Sequence, residues 1–466
     1  MTLSIDGWTD VSGFSIYALL LLRGQYIKQF VDILDLNLKR HTAENLVEAV
    51  KNCLDWKCIS LKNISAVVTD SPSVMIKFQD KPYIMKTHCV LHAFNLIAKH
   101  FIMHPTMAPI VKGNNVLVNY FSNSSFWGEF LIQWASNNNI SHGLSTLLIS
   151  VIENQDHFTS NDTLVSLLKP VVDSIGHLEN SNTKLSDILQ ELLAVYKSLL
   201  LVNVYSHFAS FKQHCIKVLH QRSEFFQSNI YIISFFLHPL FQNVAVSLNH
   251  SLKDITLMIL VLANHWQYYK EDSELLIPQI KCYYSQPEPF GNACNAMDYW
   301  LGLPDNPQCS PLKKFAITIS EIVPHAAGIE GLFSLMSAIK TKYQNPMLPT
   351  TLKMISQIKL HLTQKKPQKS KNKHKNDEHS ETSEYDCMCG YDFFSSPLEL
   401  ENFEDGVFDQ ADMQLTSRQD AFIETMFDFD SWEQANPIVA TPQIVVGGDL
   451  QELHRTAIWD PYNMDI

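Results

Sequence analysis

TLSIDGWTDVSGFSIYALLLLRGQYIKQFVDILDL, residues 2–36, decides the fold class. It holds three β-rich apolar runs, TLSID, GFSIYALLLLRG and QYIKQFVDILDL, joined by short turn-like breaks. That pattern predicts three strands in an antiparallel meander. Working outward, TAENLVEAVKNCLDW (42–56) puts Leu46, Val50 and Leu54 on one helical face, with Thr42 as N-cap. ISAVVTD (64–70) reads as a fourth strand which, like TLSID, ends in an acid. SPSVMIKF (71–78) can start a helix, Ser71 capping and Pro72 filling the first helical position. YIMKTHCVLHAFNLIAKHFI (83–102) reads as a strand feeding another helix.

The expected order, βββαβαβα, is that of an α/β ribonuclease H-like mixed sheet. From about residue 140 the pattern changes. LVSLLKPVVDSIGHL, KLSDILQELLAVYKSLLL and DITLMILVLANHWQYYK carry apolar residues at helical intervals with little strand character. The segment 311–362 reads as helices broken at Pro324 and around NPMLP. The expected organisation is therefore a sheet-bearing core over 1–138, a large all-helical insertion over 139–300, and a helical region over 301–363 completing the core. A charged linker (364–385) and an acidic, disordered tail (386–466) follow.

With 466 residues, 46% of them hydrophobic, the chain can build about three packed domains. No apolar run reaches the roughly 18–20 residues that span a bilayer, and no basic segment followed by a signal-type apolar core opens the chain. Nine scattered cysteines suit reduced thiols in a cytosolic or nuclear protein. The net charge of −13 is uneven. Residues 1–363 hold about 27 basic and 27 acidic side chains; the lysine run KKPQKSKNKHK follows, and the 21 acids from Asp377 onward face only Arg418 and Arg455. A neutral body gives no long-range pull on nucleic acid, so DNA contact requires a local basic patch. The tail mixes acids with aromatics in FEDGVF, MFDFDSW and IWDPYNMDI, a composition of segments that bind protein partners. Cys387 and Cys389 are spaced by one residue with no second pair, the pattern of two free thiols rather than zinc ligands.

Asp6 before Gly7 is ordinary turn chemistry taken alone. If the first and fourth strands are parallel neighbours, however, Asp6 and Asp70 meet at one sheet edge. Two such carboxylates repel without a cation and together suit Mg²⁺ or Mn²⁺. A third carboxylate must come from elsewhere in the chain.

SIDGWTD, VVTDSPSVM, HCVLHAFNL and IVPHAAGIEGLFSLMSAIKTKYQN follow one another in the order and spacing of the conserved blocks of hAT transposases. The chain resembles that family over roughly 1–363. The resemblance implies a ribonuclease H-like core interrupted by a helical insertion, with DNA cutting and strand transfer by a metal-holding Asp-Asp-Glu triad. Asp6, Asp70 and Glu330 match the triad. Cys89 and His92 match a Cys-x-x-His element near the active site and substrate. The segment 310–363 matches a dimerisation region, whose strongly apolar positions include Leu332, Phe333, Leu335 and Met336. At least half of its apolar residues are expected to close the chain's own core. Implied partners are DNA and a second copy of the chain, and the implied compartment is the nucleus.

Three departures weigh against an intact transposase. The family's N-terminal BED zinc finger is expected to be absent, since the sequence opens essentially at the first strand. Gly331 stands where the family has Arg after the triad Glu, which costs a phosphate-binding guanidinium. The Arg-Trp pair that handles a flipped base has no match in HGLSTLLISVIENQ, while Trp127 and Trp134 read as core. The readings are thus a degenerate transposase, a co-opted interaction protein acting through its dimerisation region and tail, and, more weakly, a structure-selective nuclease.

Overall fold

A computed structural model describes residues 1–364 apart from 10–14, 24–26, 37–41, 71–83, 124–149, 181, 247–249, 267, 269, 286–295, 306–308 and 340–348. The helix expected over 71–78, Trp127, Trp134, the lysine run, Cys387, Cys389 and the tail lie outside the described residues. β1 (Thr2–Thr9), β2 (Ser15–Arg23) and β3 (Ile27–Asp35) form the antiparallel meander. β4 (Ala66–Thr69) and β5 (Met85–His88) extend it on the other side of β1, both parallel to it, giving the order β3-β2-β1-β4-β5. Among the described residues the remainder is mostly helical, giving a mixed α/β structure around a small five-stranded sheet.

Strand alternation divides the sheet into two working faces. Leu3 and Ile5 of β1, Leu19 and Leu21 of β2 and Val67 of β4 point to one side, against α1 (Ala43–Trp56) through Val47, Val50 and Leu54. Thr42 caps α1 as expected, its hydroxyl accepting from the Asn45 amide at 3.3 Å. Ile16, Ala18 and Leu20 of β2 point to the other side, where α12 (Ala327–Ile339) and α13 (Pro349–Gln364) cover them with Ile329, Leu332, Met336 and Leu352. Each of these Leu, Ile, Val and Met side chains withdrawn from water contributes about 1.5–3 kcal/mol.

The third body is helical. α2 (Val90–Ile102), α3 (Ala108–Asn123), α4 (Gln155–Leu178), α5 (Leu185–Leu201), α6 (Ala209–Arg222), α7 (Asn229–Phe236) and α8 (Leu252–His265) come first in it. α9 (Lys270–Ser285), α10 (Ala296–Gly302) and α11 (Ser310–Ser320) follow. One apolar cluster runs from Ala66 and Val68 of β4 through these helices to Phe315 and Ile319 of α11. Packing therefore joins α11 to the helical block. Within 301–363 it is α12 and α13 that cover the sheet.

The two faces are tied together at the edge strand. Asp32 of β3 is 5% exposed beside a one-residue bulge at Val31. Its carboxylate accepts from the Ile33 amide at 2.8 Å, meets Lys57 beyond α1 at 3.9 Å, contacts Lys353 of α13, and takes the Cys53 thiol at 3.8 Å. Removing one member of a buried ion pair strands the others. Asp32→Ala is expected to cost about 3 kcal/mol in a denaturant titration. A loss below about 0.5 kcal/mol would mean the two lysines are solvated rather than held.

Candidate active site

The even positions of β1 put Thr2, Ser4 and Asp6 on the face covered by α12, and Trp8 stacks on Phe333 with ring centroids 5.8 Å apart. β1 and β4 pair in parallel as Thr2 with Ala66, Leu3 with Val67 and Ser4 with Val68. Continued two residues further, that register brings Asp6 level with Asp70, which follows the end of β4 directly. Asp70 is exposed and accepts from the Thr69 hydroxyl at 3.5 Å. Glu330 comes from the first turn of α12, its amide bonded to the Ala326 carbonyl at 3.2 Å.

The electrostatics bring these three acids into one site. Burial above all, then the charges of Asp70 and Glu330, push Asp6 up to about 8, against the pull of the Gly7 amide that donates to its Oδ1 at 2.8 Å. Burial, then Glu179, then Asp70 raise Glu330 to about 7. Its Oε2 is buried without a hydrogen-bond partner. Among the described residues no three His, Cys, Asp or Glu side chains stand in ready metal-binding proximity. The acids act on one another's charge without forming a closed cage.

Cys89 sits between β5 and α2, 2% exposed. Burial, then the charge of Glu330, pushes its thiol up to about 12, although the amides of His92 and Ala326 pull the other way. It is a neutral thiol beside Glu330. The side chain of His92, on the first turn of α2, is exposed. His88, the last residue of β5, stands edge-on to Phe225 with centroids 5.3 Å apart.

Leu332, Phe333 and Met336 are buried in the cluster beneath α12, and Leu335 packs at its edge. Three of these side chains, Leu332, Phe333 and Met336, are committed to the chain's own core. Of the four residues expected to serve dimerisation, Leu335 is the one that keeps part of its surface outside this core.

Two contributors escaped the sequence reading. Glu179, at the C-terminal end of α4, is half-buried and raised by that burial, and it acts on Glu330. Nothing in LENSN (178–182) marks it, because its neighbour lies some 150 residues away in the chain. Tyr17 pairs with Gly7 across β1 and β2 and is raised by burial and by Asp70. A Cβ at position 7 would come within 2.8 Å of the Tyr17 ring, which is why glycine follows Asp6. The Asp-Gly pair therefore serves a close ring contact inside a strand, where its composition had suggested a turn.

No protein-family model matches the chain, and no curated protein is significantly similar to it. No helix among the described residues is long and apolar enough to cross a membrane.

Proposed function

We propose that the chain is a hAT transposase-like protein with a ribonuclease H-like core, acting on DNA in the nucleus, and degenerate relative to an intact transposase. The observation that carries the reading is the convergence of Asp6, Asp70 and Glu330 from three separate elements, two of them neighbouring parallel strands. The strand order and the large helical block beside the sheet also support it. The donors are all carboxylate oxygens, and the orphaned Glu330 Oε2 lacks a partner, which together suit a hard divalent cation such as Mg²⁺ or Mn²⁺. Bound there, such ions would activate a water or 3′-hydroxyl and stabilise the leaving oxygen at phosphorus.

The chain's own residues would do the rest. Asp6 and Glu330 must each lose the proton that their burial favours before they can hold a cation, so occupancy rises with pH through about 7–8. Asp70, exposed at the rim, offers the entry side. Gly331 leaves no guanidinium beside Glu330 for the phosphate, which is the main mark of degeneracy. The same observation favours the second reading, a co-opted interaction protein. It would bind partners through its acidic tail and a second copy through the exposed face of α13, where Met354 and Ile358 lie one turn apart, 62% and 59% exposed.

Calorimetric titration of the protein with Mn²⁺ tests the proposal. Saturable binding that Asp70→Asn weakens at least tenfold is expected. Identical heats for the two proteins would remove the metal site and leave the interaction protein as the reading.

A further inference from the structure

The short segment Val323–Ala326, between α11 and α12, is bonded to β1, to α2 and to α12, and α2's neighbour Cys89 carries the connection on to β4. The Val323 amide donates to Thr2 Oγ1 of β1 at 3.2 Å. The Pro324 carbonyl accepts from the Val90 amide of α2 at 3.0 Å, and the adjacent Cys89 amide donates to the Thr69 carbonyl, next to Asp70, at 3.2 Å. The Ala326 carbonyl accepts from Glu330 itself. His325 supplies the remaining connection. It is 2% exposed, and its Nδ1 accepts from the Ala327 amide at 3.3 Å, which leaves the proton on Nε2. Nε2 then donates to the carbonyl of Asn180, in the corner between α4 and α5, at 3.0 Å. That carbonyl also accepts from the Thr183 amide at 3.0 Å, so the corner is ordered by its own bonds as well.

We propose that His325 is a positioning residue, a latch that holds the Glu179–Asn180 corner of the helical block against the first turn of α12 and so fixes Glu179 beside Glu330. The inference rests on the carboxylate-site reading above and deepens it. One ring spans two functions. Nδ1 caps the helix that carries Glu330, and Nε2 grips the block that carries Glu179. A displacement of the helical block, such as a strand of nucleic acid lying across it would cause, is thereby transmitted through a rigid imidazole to the base of α12. Composition did not reveal this role, because a histidine after a proline has many uses and its partner is a backbone carbonyl 145 residues away.

Two conservative variants separate the two nitrogens. In His325→Asn the side-chain oxygen can still accept from the Ala327 amide, but the side chain is too short to reach Asn180. In His325→Gln the longer amide can still donate to Asn180. Hydrogen exchange followed by mass spectrometry, read over residues 176–183, is the metal-independent measurement. His325→Asn is expected to speed exchange there at least tenfold, and His325→Gln less than threefold. In parallel, Mn²⁺ affinity should fall about tenfold in His325→Asn alone, the usual size for loss of a residue that orients a ligand. Wild-type exchange in His325→Asn, equal losses in the two variants, or an Asn variant that does not fold would each overturn the latch. A wild-type protein that binds no Mn²⁺ would overturn the metal reading, while the exchange experiment still decides the latch.

Discussion

Asp6→Asn is expected to stabilise the metal-free protein by about 3 kcal/mol near pH 8. The carboxyl, mostly buried and facing Asp70 and Glu330, is raised from 3.8 to about 8. Below 3.8 it is protonated in the folded and unfolded chains alike and makes no difference. Between 3.8 and 8 the unfolded chain releases its proton while the folded chain retains it, so stability is lost as pH rises. Above that window the cost is constant. A shift of this size carried by one group would amount to roughly 5–6 kcal/mol. Three coupled acids share it, so a single substitution recovers about half. Asparagine keeps the shape and the oxygen that accepts from the Gly7 amide. Urea titrations near pH 4 and near pH 8 should therefore show little gain at the first and a large one at the second. Added Mn²⁺ should stabilise the parent and leave the variant unchanged. A variant less stable than its parent at both pH values would mean that Asp6 is held by attractive partners instead of repelled by like charges.

The second large effect concerns the core. Leu332→Ala is expected to cost about 3–4 kcal/mol of folding stability, because Leu332 is 1% exposed and meets the β2 side chains Ile16, Ala18 and Leu20 in a closed cluster. Folded at lower temperature, the variant should show the same mass in light scattering as its parent at each concentration. Unchanged stability together with dissociation of an oligomer would show that Leu332 lies between two chains. Met354→Lys on α13, whose side chain faces solvent, makes the complementary measurement: little change in stability, with loss of any self-association that uses that face.

Local pattern made much of this architecture legible. The β1–β3 meander followed from alternating apolar runs, the α1 cap from Thr42, and the break before α12 from Pro324. The expectation that Asp6 and Asp70 share a sheet edge needed one topological step, that the first and fourth strands are parallel neighbours, and β1 and β4 pair that way. What local pattern could not convey is what each apolar face is packed against. Leu332, Phe333 and Met336 have the same periodicity whether they meet β2 or a second copy, and only tertiary packing chooses. Likewise α11 reads as part of the closing segment, yet Phe315 and Ile319 face the helical block. Glu179 was silent because Glu330 is remote in the chain, and the use of His325 was hidden because its partner is a distant backbone carbonyl, which leaves no trace in composition.

The bond from Val323 to Thr2 joins residues 321 positions apart, and α12 covers strands made long before it. At about 5–20 residues per second, a ribosome takes roughly 15–60 s to deliver the cover after the strands have emerged. Throughout that interval the Ile16, Ala18, Leu20 and Leu22 face of the nascent sheet has no native lid. A chain stopped anywhere before α12 therefore presents a bare apolar sheet to the cell, a binding surface for chaperones and a seed for aggregation. Quality control during translation would act on this protein more severely than its finished form suggests.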